Sequence, residues 1–275
     1  MTTTPAHTAP LAMTSRGAPL RVTYARVLLS EWTKLRSLRS TAYTLLVAVG
    51  LSIGLGVLFV AITANEPSGI APGETAASTS LTGTFFAQLA IGVLGVLMIS
   101  GEYSTGMIRA SLTAVPRRLP ILWAKLAVFA AAVFATMLIA SLVAFLIGQA
   151  LLSERDLNTS LADPAALRSV IGAPMYLSVA GMTGLALGAL LRNGAAAISS
   201  FVGVFFVIPP LTLLLPTSFS DHVVQYLPSN AGAMLLGGHY GVSNPLAPWT
   251  GFAVMCCYAV VLIGLAGWRL RRVDA

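Results

Sequence analysis

The chain has 275 residues, 56% of them hydrophobic and only 9% charged, with a formal net charge of +7. Soluble globular domains carry about a quarter charged residues, so this composition excludes an ordinary water-soluble domain. The basic excess lies beside long apolar runs, a distribution explained by membrane topology and anionic lipid and not by nucleic acid.

Residues 1–19 are rich in Thr, Ala and Pro and have no apolar core. They are expected to form a disordered cytoplasmic tail, neither a signal peptide nor a span. Residues 20–40 read as an amphipathic helix lying in the cytoplasmic interface. Tyr24, Val27, Leu28, Trp32, Leu35 and Leu38 recur at three- and four-residue spacing, with Arg26, Ser30, Thr33, Lys34 and Ser37 opposite. Glu31 stands at the border of the apolar stripe, and it also fits an exposed pair with Lys34 three residues on.

Six stretches then follow that are free of charge and long enough to cross about 30 Å of hydrocarbon, which takes about 20 helical residues. They run from Thr41 to Ala64, Leu81 to Ser100, Leu126 to Leu152, Val170 to Leu191, Gly194 to Pro216 and Trp249 to Trp268. None alternates with a two-residue period, so they read as helices and not barrel strands. Trp249 and Trp268 bracket the last one as interfacial anchors. Fourteen of the sixteen Lys and Arg residues fall on one side of a six-span alternation, leaving Arg155 and Arg168 on the other. By the positive-inside rule both termini are cytoplasmic, as expected for a multi-pass protein of the cell membrane.

Between spans two and three, residues 101–119 read as a short interfacial segment on the inner side. Gly101 is expected to break the preceding helix, Glu102 to sit at a new helix N-terminus, and Pro116 to stop the segment before Arg117 and Arg118. A solvated turn obeying only the charge rule fits as well. Glycines 181, 184 and 188 in span four permit close helix approach, for motion or for ordinary packing. In span five, Pro209 and Pro210 remove backbone donors, so the helix must kink or end there. Residues 217–248 lack Lys and Arg, and their apolar pieces suggest short helices dipping into the outer leaflet or forming an external lid, with Asn230 as a cap. Residues 269–275 form a short basic cytoplasmic tail.

The catalytic inventory is sparse. His7, His222 and His239 are the only histidines, and there is no HExxH, no carboxylate pair within a span and no P-loop. The adjacent Cys256 and Cys257 lie inside the last span and indicate neither a disulfide nor a metal site. No acidic, basic or histidine side chain stands at membrane depth to bind a coupling ion, so energy for uphill transport must come from outside the spans. The chain is therefore not expected to be an enzyme.

Two strings carry a family resemblance: SEWTKLRS at residues 30–37 and GEYSTGMIRASLTAVPRR at residues 101–118. With six spans between and after them, and a long outer segment before the last, the chain resembles the permease subunits of ABC-2 type transporters. The resemblance implies an all-α membrane domain over residues 41–268, preceded by an elbow helix. It also implies a second permease, as homodimer or heterodimer, and a separate ATPase that holds ATP and Mg. Glu31 and Trp32 would lie on the elbow helix, and Glu102, Tyr103, Thr105, Gly106 and Arg109 near the surface that couples to the ATPase. Met107 stands where the family often has Thr. The expected activity is ATP-driven export of a hydrophobic or amphipathic compound, since few polar groups are available to bind a charged solute. The alternative is a non-transporting membrane sensor or assembly protein.

Overall fold

A computed structural model describes residues 23–66, 69–104, 118–214, 216, 222–238, 242 and 244–272. The tail read over residues 1–19, the site residues Thr105, Gly106 and Arg109, and Pro116 lie outside the described residues. Among those described, the structure is all helical. α1 (Tyr24–Ser37) is the elbow helix, and α2 (Arg39–Asn65) is the first span. α3 (Ala76–Ser80) is a single buried turn, followed by α4 (Gly83–Ser104), α5 (Arg118–Leu152) and α6 (Pro164–Leu191). α7 (Gly194–Val202) passes through a π-helical turn at Gly203–Val207 into α8 (Ile208–Leu211). α9 (Pro228–Ala233) and α10 (Pro248–Arg272) complete the fold. Six of these segments are long and apolar enough to cross a membrane, with α7 and α8 counted together.

Several span boundaries differ from expectation. α5 starts about two turns before Leu126, which makes Lys125 a helix residue. α6 starts at Pro164, where Asp163 accepts from the Ala165 amide at 3.0 Å and proline at the first helical position suits the fixed φ. Nor does Gly101 break α4: the helix continues through it to Ser104. Glu102 therefore belongs to the last turn of α4, not the first turn of a new helix. Likewise α10 continues through the basic residues to Arg272.

α4 and α6 form the centre of the bundle, with α5 packed on α6. Their glycines let the backbones nearly touch: a Cβ on Gly95 would stand 2.1 Å from the Gly181 carbonyl oxygen, and one on Gly184 2.4 Å from that of Gly92. Pro174, inside α6, leaves the Val170 carbonyl without its helical donor. The buried Ser141 hydroxyl of α5 donates to that carbonyl at 2.9 Å. In span five the two prolines are accommodated by the π-helical turn just before them, so the helix shortens its regular run and ends at a 3₁₀ turn at Thr212–Leu214.

The bundle has two chemically different ends. Most of the described basic residues, among them Lys34, Arg36, Arg39, Lys125, Arg192, Arg269, Arg271 and Arg272, lie on α1 or in the helix turns toward that side, here the basic end, whereas Arg155 and Arg168 lie at the other. At the far end α3 is capped by Thr75 and Ser78, whose side chain and backbone groups bond reciprocally. Gln149 of α5 donates to the Ala76 carbonyl at 3.1 Å and the Ser80 hydroxyl at 2.9 Å, and accepts from the Thr159 amide at 2.7 Å. α9 and the following turn at Met234–Leu236 are not an exposed lid: Leu235 and Leu236 join the main core, and α9 packs on α10. Asn230 does not cap a helix there; it lies inside α9 and donates to the Val224 carbonyl at 3.1 Å. Trp249 and Trp268 stand exposed near the two ends of α10.

Candidate functional site

The amphipathic pattern of α1 buries a narrower stripe than its apolar residues suggest. Val27, Glu31 and Leu35, each four residues apart, face α5, whereas Tyr24, Trp32 and Leu38 point outward. Leu35 packs on Val128 and Ala132 of α5, which holds α1 against that helix. Glu31 is 1% exposed, so it stands in the middle of the buried stripe and not at its border. A lone carboxylate so placed would be strongly unfavourable.

It is not alone. Lys125 of α5 is 2% exposed and donates to Glu31 Oε2 at 2.6 Å and to Glu102 Oε1 of α4 at 2.9 Å. Lys34, one turn beyond Glu31, donates to Glu31 Oε1 at 2.7 Å and to Glu102 Oε1 at 3.3 Å. Two carboxylates and two ammonium groups thus form a neutral buried cluster joining three helices. The arrangement also explains the position of Glu102: the last turn of a helix disfavours negative charge, and the two lysines offset that. Glu102 Oε2 is buried and has no hydrogen-bond partner among the described residues.

Charge in the cluster is fixed by these contacts. Burial pushes the Glu31 carboxyl up, but the charge of Lys125 and hydrogen bonds from Lys125 and Lys34 outweigh it, holding the group below the usual carboxylate value. Burial pushes the Lys34 ammonium down, and the hydrogen bond to Glu31 with the charge of Glu102 more than reverses this, leaving it raised.

The next residue, Tyr103, faces the other half of the basic end. Arg192, which closes α6 in the left-handed conformation at φ 54°, holds its guanidinium 5.3 Å from the Tyr103 ring centroid. Arg269 of α10 donates to the Leu190 carbonyl in the last turn of α6, a favourable place for a cation. Adjacent residues at the end of α4 therefore reach α1 and α5 through Glu102, and the end of α6 through Tyr103, while α10 is tied to that same end of α6 by Arg269.

Of the residues singled out from the sequence, Glu31 and Glu102 meet, Tyr103 lies beside them, and Trp32 turns away from the cluster. Lys125 and Arg192 were missed as site residues. Each is a basic residue next to a span, which the charge rule accounts for without any tertiary partner. Residues 27–209, well over half of the chain, match the family model described as ABC-2 family transporter protein. The match takes in the whole ion cluster and Arg192, and ends at the prolines of span five. Comparison with curated proteins gives no match.

Proposed function

Because the chain belongs to the ABC-2 family of transporter proteins, we propose that it is the permease subunit of an ATP-driven exporter of a hydrophobic or amphipathic compound. A separate ATPase, carrying ATP and Mg, docks at the basic end, which faces the cytoplasm of a plasma-membrane protein. A second permease, identical or related, supplies the other half of the substrate path. The observation that carries the coupling part of this reading is the junction at Glu102 and Tyr103. These two residues end α4 immediately before residues 105–117, and their side chains reach α1, α5 and the Arg192 that closes α6, to whose last turn Arg269 ties α10.

In this reading ATP binding draws two ATPase subunits together and pushes on the basic end. A push delivered near the end of α4 passes through the buried ion cluster to α1 and α5, and through Tyr103 and Arg192 to α6. The helices tilt as packed bodies between inward- and outward-open arrangements. Charged groups sit at the helix ends and the spans offer an apolar interior, which suits an apolar or amphipathic cargo.

The test is the complex of this chain with its ATPase in proteoliposomes. Glu102→Ala is expected to lower transport and substrate-stimulated ATP hydrolysis about tenfold or more, equivalent to about 1.4 kcal/mol in the activation barrier, with membrane insertion intact. Glu102→Asp should recover part of the loss. Wild-type hydrolysis and transport in Glu102→Ala would remove this carboxylate from coupling. Purification of a complex without any ATP-hydrolysing subunit would favour the non-transporting reading instead.

A further inference from the structure

We propose that the groove between α1, α2 and α5 at the basic end binds one anionic phospholipid from the adjacent membrane leaflet. The groove has a volume of about 370 Å³ and is lined by Trp32, Leu35 and Arg36 of α1, Thr41 and Leu45 of α2, and small residues of α5 including Ala132. None of its lining residues belongs to the ion cluster, so the proposal is independent of the transport reading.

The lining is polar at one end and apolar along its floor, the division expected for a lipid. At the polar end, Arg36 is exposed and has no ion pair or hydrogen bond among the described residues. Thr41 is 8% exposed, lines the groove, and its hydroxyl has no partner among those residues. Thr41 is also in the first turn of α2, a helix with no acidic residue in that turn and no side-chain cap from Leu38. The positive end of the helix dipole therefore adds to the charges of Arg36 and Arg39. Among the described residues no carboxylate lines the groove, and Glu31, the nearest on α1, is committed to Lys34 and Lys125.

These groups fit a phosphodiester accepting from the Arg36 guanidinium and the Thr41 hydroxyl, with an acyl chain along Leu35, Leu45 and the alanines. A choline or ethanolamine cation finds no acidic partner, which favours an anionic headgroup over a zwitterionic one. Trp32, 45% exposed, stands at the level where an indole prefers the membrane interface. A lipid seated here braces α1 against α2 and α5 beside its ion cluster.

The full chain extracted from vesicles of equal phosphatidylglycerol and phosphatidylcholine tests the site, with retained lipid counted by native mass spectrometry. Phosphatidylglycerol should be retained over phosphatidylcholine by about fivefold or more, the scale of one well-placed arginine near a membrane surface. Arg36→Gln with Thr41→Val should abolish that preference. Arg271→Gln, which removes an equal charge from the exposed end of α10, should keep it. Equal loss in both variants, or no preference in the wild type, overturns the proposal. So does thermal stabilisation by inorganic phosphate equal to that by phosphatidylglycerol, which would mark a bare anion site. Unfolding of Arg36→Gln/Thr41→Val at the wild-type temperature in phosphatidylcholine alone shows that lost retention is not lost fold.

Discussion

The two ends of this bundle solve one problem with different chemistry. Each must tie sequence-distant helices together across a buried polar patch. Across helices the far end relies on neutral groups: Gln149 satisfies Ala76, Ser80 and Thr159, and glycines bring the backbones into contact, while the Glu74 carboxylate accepts only locally from Ser78. The basic end uses four charges, with Lys125 and Lys34 shared between Glu31 and Glu102. A neutral network costs little to bury once satisfied, whereas buried charges carry a heavy desolvation penalty that is offset only while every partner stays in place. Contacts of the second kind hold firmly in one geometry and weaken sharply when a partner moves, which suits the coupling role proposed for that end.

The largest effect expected from this contrast is in Lys125→Met. It leaves Glu31 and Glu102 buried with Lys34 alone, a partner one-third exposed on its side chain. Breaking a buried pair on one side costs about 3–5 kcal/mol, read as a lowered thermal unfolding temperature in detergent. Adding Glu31→Gln and Glu102→Gln to the same chain should recover most of the loss, because the uncompensated charges are then gone. Wild-type stability in Lys125→Met alone would mean that the cluster holds nothing together.

Much of this was legible in the sequence because lipid punishes misplaced charge. The six spans, their helical character and the gathering of basic residues at one end all follow from where Lys and Arg are absent. What stayed hidden was pairing over distance. Glu31 and Lys125 are separated by 94 positions, and nothing local distinguishes Lys125 from a residue that merely flanks a span. Glu102 was singled out for a helix N-terminus and is instead at a C-terminus, because a glycine inside a helix costs only about 1 kcal/mol and Gly101 is carried within α4. The Ser141 bond to the carbonyl freed by Pro174 was invisible for the same reason: residues 141 and 170 meet only in the folded bundle. Asn230, read as a cap, is a standing case of local propensity overruled by packing of the α9 segment into the core.

At the far end a smaller effect is expected from Gly56→Ala. The added Cβ would stand 2.4 Å from the Ser80 carbonyl oxygen, a backbone atom that cannot rotate aside. Overpacking of this kind costs about 1–3 kcal/mol, again measured by thermal unfolding. The loss should be the same at every pH, since no titratable group takes part. A variant as stable as wild type would show that α2 and α3 can separate freely, and the far end would no longer be the rigid partner in the comparison.

The smallest effect expected is in pH, and it separates the two ends most directly. Glu31 titrates below its ordinary value of 4.5 in the folded protein. Its contribution is therefore complete above that value and is lost as pH falls through the depressed one. Lys34 titrates above its ordinary 10.5, so its contribution is complete below 10.5 and lost as pH rises through the raised value. Between those limits the docking of α1 on α5 should be insensitive to pH. Hydrogen exchange of the α1 amides, corrected for intrinsic rates, should stay flat through the neutral range and accelerate only under acid or strongly alkaline conditions. Amides of α3, where Ser78 donates to the Glu74 carboxylate at 2.7 Å but no lysine takes part among the described residues, should show no alkaline limb. A protonated carboxyl keeps its shape and one hydrogen bond, so the acid limb should be weaker than the effect of removing Lys125 outright. In Glu31→Gln that limb should shrink, and acid loosening of α1 at full strength in this variant would assign the sensitivity to another group and dissolve the contrast between the ends.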